Sequence, residues 1–529
     1  MTDFSPTLEQ HAIVEAVKGP TSVMVNAFAG CAKTTTIVLA GANIKVPALA
    51  LAFNKKIADE LRPKFPPNFQ VKTMNGLGFM VWGRVLDGAR LTMDDKKLGK
   101  LVTQVCKDRK AGLGKDGWDK LRQLVSRAQH AGLVPAEFGH GLVPDTFEGW
   151  CEVGEALWLL PGEVEGLWEL GQEILQEDIR LAKQGVISFD DQVYCPTLLC
   201  PQGLAGGRAI WPKFPITVVD EAQDLSPLNH RMLDLATRTD GKLVAVGDPK
   251  QAIYSFRGAD SSSMEHIKEL RKDWVTLPLA TTFRCPKRIV ARQQGHAPGF
   301  RAWHTNREGM FGHWRYDDEF EDTGELAGWR WGDVESLAGG HETIAVLCRN
   351  NAPLLALGLK LLRQQVGMEL VGRDIGKNLI SLSKKIIPLS ETPYDICKGK
   401  ILEWKERESS KALANENDER VAGIVDRAEC LLAVLDGGEC RNGGELREVL
   451  GKLFAEASGR VQLSTIHRFK GGESDVVVHL DPWRVPSRQA KKRAAAGEPR
   501  ELEQEWNLLY VCETRTKNVL VNANLEDFR

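Results

Sequence analysis

The sequence predicts an α/β protein with two parallel-sheet cores, each interrupted by a mainly helical insertion. Three observations carry this. Short apolar runs are followed by helical patterns, the rhythm of parallel strands joined by crossover helices. The runs fall into two groups, one in each half of the chain. Between them lie two stretches of helical spacing rich in charge, residues 82–186 and 379–456, the first also rich in tryptophan. With 529 residues, 43% hydrophobic and 26% charged, the chain is long enough for about three or four cored domains.

The elements follow in order. Residues 21–25 form a strand that ends in a small-residue loop, and 47–53 form another. Residues 216–219 and 243–246 are two more, each ending at acidic residues. Residues 344–347, 461–464 and 476–480 belong to a second sheet. The expected first core is 1–81 with 187–277, and its insertion is 82–186. The expected second core is 278–378 with 457–529, around a shorter insertion at 379–456. The run Trp404-Lys405-Glu406-Arg407-Glu408 reads as a solvated helix face.

Composition narrows the function. The formal net charge is -2, so a nucleic-acid site has to be a local groove and not a global field. No stretch approaches the roughly 18 uncharged apolar residues that a membrane span needs. The opening Met1-Thr2-Asp3-Phe4 lacks a signal-peptide pattern, so a soluble, cytoplasmic protein is expected. None of the 11 cysteines has the paired spacing of a zinc site; Cys195 with Cys200, or Cys430 with Cys440, read as free thiols.

After the first strand comes Ala27-Phe28-Ala29-Gly30-Cys31-Ala32-Lys33-Thr34, a near fit to a phosphate-binding loop. Small residues let backbone N–H groups wrap phosphates. Lys33 is placed to reach the β- and γ-phosphates, and Thr34 to hold Mg²⁺. The helix that follows, from Thr35, aims its N-terminus at the negative charge. Ala27 and Ala32 stand where glycines are usual, and the Ala32 methyl resists a positive φ.

A second element supports a nucleotide site. Val218-Val219-Asp220-Glu221-Ala222-Gln223-Asp224 is a buried strand with two carboxylates at its tip. Asp220 is placed to hold Mg²⁺. Glu221 is placed to take a proton from attacking water. Ser226-Pro227 opens the next helix.

These motifs resemble those of superfamily 1 helicases of the UvrD/PcrA/Rep type, whose remaining motifs recur in order. Thr7-Leu8-Glu9-Gln10 resembles the Q motif, Phe53-Asn54-Lys55 motif Ia, and Thr73-Met74-Asn75 the Thr-x-His stretch. Ser188-Phe189-Asp190-Asp191 resembles the short motif before motif II, which is Asp220 to Asp224. Residues 246–259 resemble motif III, Thr282-Phe283-Arg284-Cys285 motif IV, 463–473 motif V and 505–515 motif VI. The opening Asn26-Ala27-Phe28-Ala29-Gly30 looks most like the F-box DNA helicase branch and its phage relatives, so a bacterial or phage-infected cell is the expected setting.

The resemblance implies two RecA-like cores of the P-loop NTPase class, with ATP and Mg²⁺ in the cleft between them. Residues 27–35 would bind ATP, with Gln10 reading adenine, Phe283 stacking on it and Glu473 touching the ribose. Gln251 would sense the γ-phosphate, and Arg284 and Arg515 would act as arginine fingers. The implied substrate is single-stranded DNA and its junctions with duplex. Phe53, Tyr254 and Phe256 would stack on bases; Asn54, Thr73, Arg257, Thr465 and His467 would contact the strand, and Asn75 and Phe189 would belong to the same DNA-binding set. Movement from 3′ to 5′ is expected on the same ground.

Three readings of the activity stand beside one another. The first is a translocating helicase. The second is a DNA-dependent ATPase that strips proteins from DNA or acts as a switch without unwinding. The third, a non-hydrolysing DNA-binding module, has only Ala32 in its favour. The basic segment Arg484 to Arg493 is read either as a contact to DNA phosphates or as a solvated loop.

Overall fold

A computed structural model of the chain describes residues 6–52, 54–155, 157, 159, 161–200, 203–205, 208–253, 262–313, 343–414, 418–454, 459–497 and 499–528. Two compact units divide it: Met1–Ala27 with Ala32–Ala280, and Phe28–Cys31 with Thr281–Arg529.

The first unit is built on strands Ser22–Ala27 (β1), Ala48–Ala52 (β2), Phe69–Thr73 (β3), Phe214–Val219 (β4), Thr237–Gly247 (β5) and Trp274–Leu279 (β6). They form one sheet in the order β6-β1-β5-β4-β2-β3. Every pairing is parallel. All five residues of β2 are buried, as a strand covered on both faces requires. The crossing of strand order places the carboxyl ends of β1, β4 and β5 side by side, where open α/β sheets bind ligands.

The same unit carries helices Lys97–Asp108, Lys115–Ala131, Phe147–Glu155 and Trp168–Lys183. Their buried stripes meet around Trp82, Leu121, Leu124, Trp150, Ile174 and Ile179. The indole N–H groups are satisfied inside this core: Trp82 donates to the Ala182 carbonyl at 3.0 Å and Trp150 to Asp145 Oδ1 at 2.9 Å.

The second unit repeats the scheme. Its strands are Met310–His313 (β7), Ile344–Cys348 (β8), Met368–Leu370 (β9), Val461–Thr465 (β10), Ser474–Leu480 (β11) and Thr516–Ala523 (β12). They form a second parallel sheet, ordered β7-β12-β11-β8-β10-β9. One continuous core joins β8 and β10 to the helices Asn351–Arg363, Tyr394–Ala414 and Asp418–Gly437 through Leu354, Leu357, Ile401, Leu431 and Leu463.

The expected α/β class and both parallel sheets are therefore present. The seven strands read from the sequence are among the twelve, with β3, β6, β7, β9 and β12 added. Among the described residues, no helix is long and apolar enough to cross a membrane.

Candidate active site

The loop after β1 turns on two left-handed residues. Gly30 has φ +69. A Cβ built there would sit 2.6 Å from Thr282 Oγ1 and 2.7 Å from Arg284 Cβ, so only glycine fits. Ala32 has φ 58 and ψ 40, and it directly precedes the helix Lys33–Gly41. Alanine thus adopts the positive φ that its methyl disfavours, at a cost of about 1–2 kcal/mol. The helix begins at Lys33, two residues earlier than expected. Lys33 and Thr34 are half-buried in its first turn, with Thr35 exposed.

Gln10 is fully buried. Its Nε2 donates to Thr36 Oγ1 at 3.1 Å, while its Oε1 accepts the Thr7 N–H at 3.0 Å in a capping box. The Q-motif glutamine is thereby tied to the helix that follows the phosphate loop.

At the end of β4, Asp220 is 5% exposed and Glu221 is held at φ 53. The Glu221 N–H donates to Asp220 Oδ1 at 2.9 Å. Burial and the neighbouring Glu221 push the Asp220 carboxyl up to about 7 against the pull of Lys33. Gln223 links this tip to β5: its Nε2 donates to Glu221 Oε2 at 2.6 Å, and its Oε1 accepts the Asp248 N–H at 2.9 Å. Asp248, fully buried, accepts from Gln251 Nε2 at 2.6 Å. Burial raises the Asp248 carboxyl, and Lys33 and Gln251 oppose that rise. Lys33, Asp220, Glu221 and Gln251 are thus brought into one network. Sequence reasoning missed Gln223 and Asp248, although both stand inside quoted motifs, because their role depends on a contact across 25 residues.

In the second unit, Arg284 Nη1 lies 3.6 Å from Glu473 Oε2, and Lys517 Nζ lies 3.4 Å from Glu473 Oε1. The Arg284 Nε is buried without a hydrogen-bond partner. Phe283 is 36% exposed and packs on Trp303 at 5.3 Å between ring centroids. The Phe283 N–H donates to the Gly30 carbonyl at 2.9 Å. Tyr510 Oη accepts the Ala29 N–H at 2.8 Å, and the Phe28 ring meets Phe300 edge-on. Cys31 is fully buried. Arg515 is 2% exposed and donates from Nε to the Val511 carbonyl at 3.0 Å and from Nη1 to the Gly472 carbonyl at 3.4 Å. Trp303 and Tyr510 were not singled out from the sequence.

The expected DNA contacts are more scattered. Asn54 and Thr73 cap helices: Asn54 Oδ1 accepts the Ile57 N–H at 2.9 Å, and Thr73 Oγ1 accepts the Gly76 N–H at 3.0 Å. Asn75 Nδ2 donates to the Phe189 carbonyl at 2.9 Å, and the Phe189 ring is 59% exposed. Both line a cavity of about 360 Å³ that Asp220 also borders. In the second unit Thr465 is buried at the end of β10 and His467 is half-buried in the short helix Ile466–Phe469. Phe53, Tyr254, Phe256 and Arg257 lie outside the described residues.

The donor set suits Mg²⁺. Asp220 and Thr34 offer hard oxygens, and a buried carboxyl beside a second carboxylate is a ready partner for a cation. A nucleotide site of this kind supplies only one or two protein ligands and leaves the rest to phosphates and water.

Two parallel sheets and an acidic strand tip networked to a phosphate loop define a P-loop nucleotide-binding protein with RecA-like cores. A family model described as the UvrD/REP helicase N-terminal domain matches residues 7–272, half of the chain, and the chain belongs to that family. F-box DNA helicase protein 1 of Schizosaccharomyces pombe is 24% identical over 97% of this chain and 57% of its own length. F-box DNA helicase 1 of Gallus gallus is 24% identical over 99% of this chain and 50% of its own. The ATP-dependent DNA helicase UvrD2 of Mycobacterium tuberculosis is 21% identical over 96% of this chain and 77% of its own. The chain therefore spans about half the length of the two F-box relatives.

Proposed function

We propose that this chain hydrolyses ATP to move along single-stranded DNA from 3′ to 5′ and to separate strands. The observation that carries the reading is the network Lys33, Asp220, Glu221, Gln223, Asp248 and Gln251 at the strand ends of the first unit. Lys33 neutralises phosphate charge. Thr34 and Asp220 would hold Mg²⁺, which would neutralise phosphate charge. Glu221 orients water and takes its proton. Gln251 reads the γ-phosphate and passes its state to the segment that follows, which carries Tyr254 and Phe256. Arg284 and Arg515 complete the charge stabilisation. Residues 82–186 and 379–456 act as inserted subdomains.

Strand displacement on 3′- and 5′-tailed duplexes tests this reading. Unwinding of the 3′-tailed duplex alone is expected. DNA-stimulated ATP hydrolysis without displacement of either duplex would favour the protein-stripping or switching ATPase.

A further inference from the structure

The helical part of the first unit holds a buried charge cluster that joins Asp191, the end of the motif before motif II, to Lys97 and Asp178, which lie outside every motif. Lys97, Asp178 and Asp191 are each no more than 1% exposed. Lys97 Nζ lies 2.5 Å from Asp191 Oδ2 and 3.1 Å from Asp178 Oδ1, and it donates to the carbonyls of Asp178 at 3.0 Å and Val186 at 3.3 Å. Gln129 Nε2 bridges the two carboxyls, at 2.9 Å from Asp178 Oδ2 and 3.2 Å from Asp191 Oδ1. Helices Lys97–Asp108, Lys115–Ala131 and Trp168–Lys183 therefore converge on one acid, Asp191.

Asp191 closes the Ser188–Asp191 turn. Its Oδ2 accepts the Ser188 N–H at 2.7 Å, and Ser188 Oγ accepts the Asp191 N–H at 3.2 Å. Between them Phe189 projects outward, 59% exposed and bordering the 360 Å³ cavity. A half-exposed ring beside open space is poorly fixed by packing. The turn is fixed from behind by ionic hydrogen bonds, which are stronger and more directional than neutral ones. Apolar residues would fill this core as well, so the ions are explained better by a geometry they specify than by stability.

We propose that Lys97 and Asp178 are positioning residues for DNA: through Asp191 they hold the Ser188–Asp191 turn so that Phe189 is presented to a base of single-stranded DNA. This rests on the proposed motor activity on single-stranded DNA, and takes the exposed ring of Phe189, expected to bind DNA, as a stacking surface.

One cation faces two carboxyls here. Burial and Asp191 push the Asp178 carboxyl up to about 8 despite Lys97, so Asp178 holds a proton below that pH. The other titratable groups around them are Tyr194 and Cys195, both pushed well up by burial. Loss of the Asp178 proton adds a second negative charge beside one ammonium and loosens the turn.

The test is affinity for a fluorescent oligonucleotide from pH 6.5 to 9.5, for wild type, Phe189→Ala, Lys97→Met, Lys97→Met with Phe189→Ala, and Asp178→Asn. Phe189→Ala should weaken binding about fivefold or more. Lys97→Met should weaken it comparably, with no further loss when combined with Phe189→Ala and with nucleotide affinity unchanged. Asp178→Asn keeps the shape of the protonated acid, so it stays folded even if Lys97→Met destabilises the core. It should remove a fall in wild-type affinity, threefold or more, as pH rises through about 8. Coincident pH profiles for wild type and Asp178→Asn would overturn the clamp, as would full additivity of Lys97→Met with Phe189→Ala. Wild-type affinity in Phe189→Ala would overturn the stacking reading itself, and the clamp with it.

Discussion

Two positions in the phosphate loop, on either side of Cys31, make opposite demands. Gly30 is at φ +69 with no room for a methyl, whereas Ala32 carries its methyl at φ 58. Gly30→Ala should cost both conformational strain and a clash with Thr282 and Arg284. The expected result is a lowered melting temperature and loss of nucleotide binding, read by thermal unfolding and fluorescent-nucleotide titration. Ala32→Gly should relieve strain and stabilise the fold by about 1 kcal/mol or less, since glycine also frees the unfolded chain. ATP turnover should change by less than about tenfold, or about 1.4 kcal/mol of barrier. No ATPase in wild type together with full activity in Ala32→Gly would show instead that the methyl blocks the phosphates.

At the scale of elements, the buried cluster in the helical part of the first unit makes stability depend on pH. Asp178 binds its proton more tightly when folded, at about 8, than in the unfolded chain, at about 3.9. Its stabilising contribution is complete below the unfolded value and is lost as pH rises through the folded one. Measured against Asp178→Asn, wild type should lose up to about 1.4 kcal/mol per pH unit across that window and little above it. Urea unfolding of both proteins at pH 6, 7, 8 and 9 reads this directly, and parallel curves would refute it.

The elements legible in the sequence are those whose residues signal locally. β1, β2, β4, β10 and the core of β5 are apolar runs ending in motif residues, and β8 and β11 are built on apolar runs. β6 was missed because five of its six residues stay partly or well exposed and Pro278 interrupts it at the sheet edge. β12 was missed because Asn518 and Asn522 break its apolar pattern. In the candidate site, residue types with strict chemistry were readable: Lys33, Asp220, Glu221 and Gln251. Gln223, Asp248 and Tyr510 were not, because their partners lie 25 to 481 residues away in the chain. The Lys97 cluster was equally hidden, since a lysine opening a helix gives no sign that it is buried.

For the whole molecule, the reading makes ATP turnover depend on residues in both units. Arg284 lies beside Glu473 with an unpartnered buried Nε, and Arg515 is held by carbonyls of Val511 and Gly472. Arg515→Ala should reduce DNA-stimulated hydrolysis by roughly 10³-fold or more while nucleotide and DNA still bind. Arg515→Lys should not restore it, because lysine lacks the planar fork. Steady-state ATPase beside binding titrations checks both variants, and near-wild-type turnover in Arg515→Ala would remove Arg515 from the mechanism.

The central claim is that the acidic tip of β4 drives hydrolysis in response to single-stranded DNA. The direct measurement is steady-state ATP turnover of wild type and Glu221→Gln, with and without an oligonucleotide. Glutamine keeps the size of the side chain and its contact with Gln223 while removing the base. Turnover in wild type should rise on adding the oligonucleotide, and Glu221→Gln should bind ATP and DNA yet lose about 10²–10⁴-fold in rate. Equal turnover in the two proteins, or a wild-type rate indifferent to DNA, would contradict the account.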